Sequence, residues 1–335
     1  MRRVISVLLV LAMVFALAGC GGGQTLDGSA KKVVMITDTG GLGDESFNDL
    51  AYEGILRAAE DFGIQYSVLE SATADDYAPN IAAAVEEGAD LIVCVGFLFE
   101  GVLAEMAVQY PDQLFALVDA QVDAPNVAGL TFSEEEGSFL VGVAAGLMTE
   151  TDKVGYIGGM QFPVIEKFQY GYQAGVKAAN PDAQVFVAYT QSFDDSAAGK
   201  ENALAQHNQG ADVIYHAAGG CGIGLIQAAD EQGFWAIGVD QDQSSLAPDH
   251  VLCSMIKRVD VAVYDAIKLV LEDSFTGNDI KYALSADGVG ISDNAGNVPE
   301  DIMEQVEAWK AKIVAGDFAV PYDLDTFEAF EVPEM

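Results

Sequence analysis

Short apolar segments rich in β-branched residues alternate with amphipathic segments along most of this chain, and the alternation restarts near its middle. The predicted elements of the first half are strand 33–37, helix 46–62, strand 65–70, helix 77–87, strand 90–95, helix 99–109, strands 114–119 and 127–132, and helix 135–149. Those of the second half are strand 153–157, helix 163–179, strand 184–189, helix 196–209, strand 212–217, helix 222–232, strands 235–239 and 251–256, and helix 259–273. Such alternation predicts an α/β fold whose parallel sheets are covered on both faces.

The two halves resemble each other, which favours two doubly wound lobes over one large sheet. The segment EGADLIV at 87–93 parallels QGADVIY at 209–215, and 335 residues are many for a single core. We predict an N-terminal lobe of residues 31–149 plus about 258–290, and a C-terminal lobe of 150–257 plus about 291–335. The tail should cross between the lobes and add a strand and a helix (299–315). Two such lobes predict a hinged cleft, with ligand beyond the carboxyl ends of the strands.

The N-terminus has the pattern of an export signal. Arg2 and Arg3 precede an apolar run over 4–17, and Leu-Ala-Gly-Cys ends at Cys20. The run is too short to cross about 30 Å of hydrocarbon, so residues 1–19 are predicted to be a secretory signal peptide. The ending resembles a bacterial lipobox, which implies acylation (palmitate) of Cys20 and attachment to the extracytoplasmic face of the cell membrane. Gly-rich residues 20–30 are expected to form a flexible tether.

The net charge of the chain argues against some classes of binding partner. The formal net charge is −37, and loss of Arg2 and Arg3 with the signal peptide would bring it near −39. A field of this sign repels phosphate backbones and anionic lipid, so nucleic acid is not expected as a partner. It also disfavours nucleotides, whereas an uncharged ligand is compatible with it.

Motifs of catalysis and metal binding were not found. The sequence contains no GxSxG or HExxH motif, and its three histidines and three cysteines besides Cys20 have no metal-ligand spacing. We therefore expect a binding protein without enzymatic activity, metal or cofactor.

Polar and aromatic residues follow the predicted strands. Asp38, Asp119 and Asp240 end three strands in two lobes, and carboxylates there suit the hydroxyl groups of a polyhydroxylated ligand. Phe47 lies at the start of a helix, where its ring could stack on a flat ligand. Lys257 follows strand 251–256 and could reach into the cleft. The Gly-rich turn at 219–224 could offer backbone N–H groups.

Several ordered motifs between residue 31 and the end of the chain match those of a known family. They are DTGG at 38–41, DESFN at 44–48, EGSFL at 136–140, GGMQFPVI at 158–165 with Phe168 and Gly171, AGGCG at 218–222, GVDQDQ at 238–243, and Lys257. On these residues the chain resembles the basic membrane protein family, the substrate-binding lipoproteins that serve ABC importers of nucleosides.

The resemblance implies a type I periplasmic-binding fold that holds a nucleoside, with purines preferred, between two aromatic side chains. Phe47 matches the first aromatic, and the second corresponds to Tyr215 or His216, with strand parity slightly favouring His216. The base-contacting positions correspond to Asp38, Ser46 or Asn48, and Asp119. The ribose-contacting positions correspond to Asp240 and Lys257, with backbone from Gly219 or Gly220. The implied partners are the permease subunits of an ABC importer, and a monomer is expected.

Other readings remain open at the level of sequence. A sugar or autoinducer receptor on the same fold would also use an aromatic ring and carboxylates. A surface nucleoside hydrolase or dinucleotide oxidoreductase, and a surface antigen without a transport role, are more distant alternatives.

Overall fold

The computed structural model describes residues 26–334, so the predicted signal peptide, Cys20 and part of the predicted tether lie outside the described residues. The strands are β1 (Lys32–Ile36), β2 (Gln65–Leu69), β3 (Leu91–Val95), β4 (Leu114–Val118), β5 (Val127–Phe132), β6 (Lys153–Gly158), β7 (Gln184–Tyr189), β8 (Val213–Ala217), β9 (Trp235–Asp240), β10 (Val251–Lys257), β11 (Asp279–Tyr282) and β12 (Val289–Ser292). The helices are α1 (Phe47–Phe62), α2 (Tyr77–Glu86), α3 (Glu100–Gln109), α4 (Glu134–Met148), α5 (Pro163–Ala179), α6 (Ser196–Asn208), α7 (Cys221–Gln232), α8 (Val259–Leu271), α9 (Glu300–Ala315) and α10 (Leu324–Glu328).

The strands form two six-stranded sheets with the same plan. The first has the order β11-β5-β4-β3-β1-β2 and the second β12-β10-β9-β8-β6-β7. All pairings are parallel except that of β12, which runs antiparallel to β10. The predicted α/β class with two doubly wound lobes is thereby confirmed, and β1 to β5 correspond in order to β6 to β10.

Strand burial follows from this layering. The central strand β3 is buried at every position, whereas the edge strands β2 and β7 are partly exposed. Helices on both faces cover the central strands, which explains their near-continuous runs of apolar residues.

The chain passes between the two sheets three times. It leaves the first sheet after β5, returns after β10 to form α8 and β11, and leaves again after β11 to form β12 and the tail. Helix α8 packs on α1, and α9 packs on α4. The tail therefore contributes two strands and two helices, whereas the sequence predicted one of each.

Helix α4 belongs to the second lobe, although the predicted lobe boundary at residue 149 put it in the first. It packs along α5 and against β10 and β12. Two glycines make this close approach possible: a Cβ at Gly142 would collide with the carbonyl of Tyr172, and one at Gly175 with the carbonyl of Phe139. The first crossing between the lobes is therefore near residue 133.

Among residues 26–334, no helix combines the length and apolar character needed to cross a bilayer.

Candidate functional site

A cleft of about 490 Å³ opens between the carboxyl ends of the two sheets. Its lining combines acidic, aromatic and small residues from both lobes: Asp38, Gly40, Asp44, Phe47, Asn48, Phe97 and Asp119 from the first, and Ile165, Phe168, Phe193, Ala217, Ala218, Gly219, Val239, Asp240 and Lys257 from the second.

The loop after β1 builds the acidic end of the cleft. The Asp44 carboxylate accepts hydrogen bonds from the backbone N–H groups of Ser46, Asn48 and Asp49, and so takes the capping role at the start of α1. The Asn48 side-chain amide donates to Asp38 Oδ1 at 2.9 Å and to Asp44 Oδ2 at 3.1 Å. Both amide hydrogens are thereby used within the protein.

Asp38 and Asn48, both of which line the cleft, contribute hydrogen-bond acceptors there. Asn48 Oδ1 is buried without a partner. Burial raises the pKa of Asp38 to about 6, against the lowering effect of its hydrogen bonds from Asn48 and Gly40. A ligand that brings hydrogen-bond donors would satisfy these oxygens, since a buried acceptor without a partner costs about 1–3 kcal/mol.

Lys257 is the only lysine or arginine that lines the cleft in the described part of the chain, and it sits at the crossing from β10 to α8. Its side chain is only 2% exposed, and its Nζ lies 2.6 Å from Asp119 Oδ2 and 3.8 Å from Glu134 Oε1. Burial lowers the pKa of this ammonium, but attraction to Asp119, Glu134 and Asp240 outweighs that effect and the net shift is upward. The residue therefore stays charged.

Asp119 and Asp240 directly follow or end equivalent strands, β4 and β9. Both have left-handed backbone, with φ of 69° and 67°, a region in which Asp is one of the few non-glycine residues found with any frequency. Burial raises the pKa of Asp240 to about 6, opposed by Lys257 and by the hydrogen bond from Ser46. Asp119 Oδ1 is buried without a hydrogen-bond partner.

Aromatic rings enter the cleft from both lobes. Phe47 and Phe97 come from the first lobe, and Phe168 and Phe193 from the second. The Lys257 ammonium lies 4.8 Å from the centroid of the Phe47 ring and 5.4 Å from that of Phe168. The cleft is thus lined by aromatic rings from both lobes, and two of these rings lie close to the Lys257 ammonium.

Neither Tyr215 nor His216 lines the cleft. Tyr215 is buried in the second lobe and its hydroxyl lies 3.1 Å from the Ser138 hydroxyl, while His216 is buried on the other face of β8 with Nε2 2.9 Å from Gln243 Oε1. Both residues lie within the strand, where helices cover its faces, and only Ala217 and the residues after it reach the cleft. Strand β8 therefore places neither of these two aromatic side chains in the cleft.

Two aromatic residues of the second lobe, Phe168 and Phe193, line the cleft instead. Phe193 follows β7 by four residues, and Phe168 lies one turn into α5. Phe168 belongs to the matched motifs, whereas Phe193 lies in the loop beyond strand 184–189 and is not among the site residues that the sequence predicts. The signal was an aromatic residue in the loop beyond that strand.

The remaining predicted residues lie at or behind the cleft wall. Asp38, Phe47, Asn48, Asp119, Gly219, Asp240 and Lys257 line it, whereas Ser46, Gly220, Tyr215 and His216 do not. Ser46 is fully buried and donates from Oγ to Asp240 Oδ2 at 2.5 Å, which links the two lobes. Gly219 has φ of 53°, and Gly220 precedes the first residue of α7.

No group of three or more His, Cys, Asp or Glu side chains suited to a metal ion occurs within residues 26–334.

Two lobes of this topology, hinged by three chain crossings around a polar and aromatic cleft, define a solute-binding protein of the periplasmic-binding type. Residues 31–323 match the family model Bmp, described as ABC transporter substrate-binding protein PnrA-like. The chain belongs to this family, as its motifs predicted.

Similar proteins agree with this assignment. The chain is 40% identical over 312 residues to the CD4+ T-cell-stimulating antigen of Listeria monocytogenes serovar 1/2a, a match that covers 86% of this chain and 87% of the relative. It is 35% identical over 349 residues to the ABC transporter nucleoside-binding protein BmpA of Lactococcus lactis subsp. cremoris, covering 96% and 99%. A solved ABC transporter solute-binding protein from Aeropyrum pernix K1 superposes with a TM-score of 0.82 at 33% identity, covering 89% of this chain and 96% of that one.

Proposed function

We propose that this protein captures a nucleoside, with purines preferred, and delivers it to the permease of an ABC importer. The observation that carries the proposal is that Phe47 from one lobe and Phe168 and Phe193 from the other line the same cleft. Aromatic side chains stack on any base, and such stacking contributes about 1–3 kcal/mol per base in nucleic-acid complexes. A purine offers the larger ring system to these surfaces.

The polar groups suit the sugar and the base edge. Asp119, Asp240 and Lys257 form one cluster, whose carboxylates can accept from ribose hydroxyls while the ammonium donates to a ribose oxygen. Asp38 and the orphan oxygen of Asn48 form a second cluster that accepts from base N–H groups. The Lactococcus relative, described as nucleoside-binding, supports the same ligand class.

Net negative charge at the cleft favours nucleosides over nucleotides. Four aspartates line it against one lysine in the described part of the chain. A phosphate there would meet like charge in a site of low dielectric, which costs several kcal/mol.

Titration calorimetry tests the ligand class. Ligand-stripped protein should give heat with adenosine, guanosine or inosine, weaker heat with uridine and cytidine, and none with AMP, ribose or glucose. Heat with glucose and none with any nucleoside would favour a sugar receptor instead. The absence of binding heat with every nucleoside would overturn the proposal.

Binding is proposed to occur without chemical turnover. Prolonged incubation with inosine should return the intact nucleoside on chromatography. The appearance of hypoxanthine and ribose would contradict this part and would indicate a hydrolase.

We further propose that the protein acts as a monomer tethered to the outer face of the cell membrane through lipidated Cys20. The supporting observation is the apolar run followed by Leu-Ala-Gly-Cys at the N-terminus. Labelled palmitate should be incorporated into the wild-type chain and not into Cys20→Ser, with Cys94→Ser as the control. Equal labelling of wild type and Cys20→Ser would refute the anchor.

A further inference from the structure

One buried amide outside the cleft lining joins the two lobes. Gln243 follows β9 in the second lobe and is only 1% exposed. Its Nε2 donates to the carbonyl oxygen of Glu45 in the first lobe at 2.8 Å. Glu45 has φ of 51°, a left-handed backbone that is uncommon for a residue with a side chain.

Contacts within the second lobe fix the direction of this amide. Gln243 Oε1 accepts from the backbone N–H of Val239 at 2.9 Å and lies 2.9 Å from His216 Nε2. Two second-lobe nitrogens thus surround the oxygen, and a flipped amide would set its NH₂ against the N–H of Val239. The amide nitrogen therefore points across the interface toward Glu45.

Two glycines leave room for the side chains of Gln243 and His216. A Cβ at Gly238 would lie 2.7 Å from Gln243 Oε1, and a Cβ at Gly222 would collide with the His216 ring. The Gln243 backbone N–H donates to Ser254 Oγ at 3.1 Å, which fixes the main chain at the same point. His216, which does not reach the cleft, instead contacts the residue that spans the lobes.

We propose that Gln243 is a positioning residue that latches the lobes in the closed arrangement, with His216 directing its amide toward Glu45. The bond to Glu45 can form only when the lobes meet, so it stabilises the closed state relative to the open one. Gln243 does not touch the cleft, and its bond therefore does not compete with the ligand. Its effect should fall on ligand release, because closure follows ligand entry.

A pair of matched glutamine variants tests the latch. Gln243→Glu, studied at pH 8 to favour the carboxylate, keeps the acceptor and replaces the NH₂ donor with an oxygen that repels the Glu45 carbonyl. Gln206→Glu makes the same change at another buried glutamine, which is 3% exposed and whose Nε2 donates at 3.0 Å to the Tyr156 carbonyl within the second lobe. Both variants should lose similar thermal stability, so the comparison separates latching from folding.

Stopped-flow release of the tightest-binding nucleoside is the readout, and only this choice of ligand rests on the proposed function. Gln243→Glu should release ligand about tenfold faster than wild type, the factor that corresponds to loss of about one hydrogen bond. Association should change by less than about threefold, because affinity changes within one interface fall mostly on dissociation. Gln206→Glu should release ligand at the wild-type rate.

Equal release rates for Gln243→Glu and wild type, or equal acceleration by Gln206→Glu, would overturn the latch. If Gln243→Glu does not fold, Gln243→Met serves in its place, with the same expected and contrary results. If wild type binds no nucleoside, the proposed function fails separately. In that case, spin-label distances between the lobes of the ligand-free protein measure the fraction of closed molecules. A smaller closed fraction in the Gln243 variant than in wild type supports the latch, and equal fractions refute it.

Discussion

Asp119 and Asp240 occupy equivalent positions in the two lobes and face the same cleft. Each carboxylate stands at the end of the fourth strand of its own sheet, with φ near 70° in both cases. Lys257 interacts with both, by direct contact with Asp119 at 2.6 Å and by charge with Asp240. Closure therefore brings two carboxylates around one ammonium, and this cluster is the polar centre of the site.

Replacing Asp240 should weaken binding more than it weakens the fold. Asp240→Asn preserves shape but removes the charge that strengthens hydrogen bonds from ligand hydroxyls, and we expect a loss of about 1.5–3 kcal/mol in nucleoside affinity by calorimetry. The unfolding free energy should fall little, because the ionised carboxylate is buried at a cost. The exposed Asp112→Asn is the control, and unchanged affinity in Asp240→Asn would remove this residue from the site.

Loss of the aromatic surfaces should reduce affinity for every nucleoside. Phe47→Ala or Phe193→Ala is expected to cost about 1–3 kcal/mol of binding free energy, since each removes a stacking face. Val108→Ala, at a side chain that is 79% exposed, is the control. If Phe193→Ala binds as tightly as wild type while Phe47→Ala does not, the second face is supplied by Phe168.

Lys257 is expected to stabilise the fold as well as the ligand. Lys257→Met should lower the unfolding free energy by about 3–5 kcal/mol, because it leaves buried Asp119 without its directly bonded cation, and the nearby Lys167 already pairs with Glu134 at 2.9 Å. Adding Asp119→Asn to that variant should restore part of the stability but not the affinity. Denaturant unfolding measures the first effect, with the exposed Lys268→Met as control. A double variant no more stable than the single one would contradict this account.

The cleft carboxyls should make stability and binding respond to pH in opposite directions. Burial raises the pKa of both Asp38 and Asp240 from 3.8 to about 6. Between about pH 4 and 6 the folded state then holds more protons than the unfolded state, so their contribution to the unfolding free energy falls as pH rises and levels off above about 6. Ligand donors prefer the carboxylates, so affinity should rise across the same range.

Unfolding curves and calorimetry between pH 4 and 7.5 measure both trends. Asp38→Asn should have a shallower fall in stability than wild type, and Asp112→Asn should match wild type. Identical pH profiles for Asp38→Asn and wild type would show that Asp38 does not titrate in this range.

Strand ends could be read from the sequence because local signals mark them. Asp38, Asp119 and Asp240 each stand where a mainly apolar run stops, and all three line the cleft. Strand parity could not predict which aromatic residues of the second lobe line the cleft. Parity separates the two faces of β8, but helices cover both faces until Ala217, so Tyr215 and His216 are buried whichever way they point. Phe193 lines the cleft because of the path of the loop after β7, and that path depends on tertiary packing rather than on the local sequence.

The lobe to which α4 belongs was also set by packing between distant segments. Nothing local to residues 134–148 tells which sheet they cover. Glycines on α4 and α5 let the two backbones come together, and this pairing is visible only once both helices are placed. The strands β11 and β12 were difficult for a related reason, since each has only four residues and pairs with a strand far away in sequence.

The triple crossing also affects how the protein is assembled during synthesis. Strand β11 covers the edge of β5, yet it is made about 150 residues later, after all the strands of the second sheet but β12. Until residues 279–282 are available, a nascent first lobe exposes the unpaired backbone of β5, and such an edge invites pairing with other chains. Neither lobe corresponds to a continuous stretch of the gene, so a fragment ending near residue 257 should aggregate rather than fold as an independent unit.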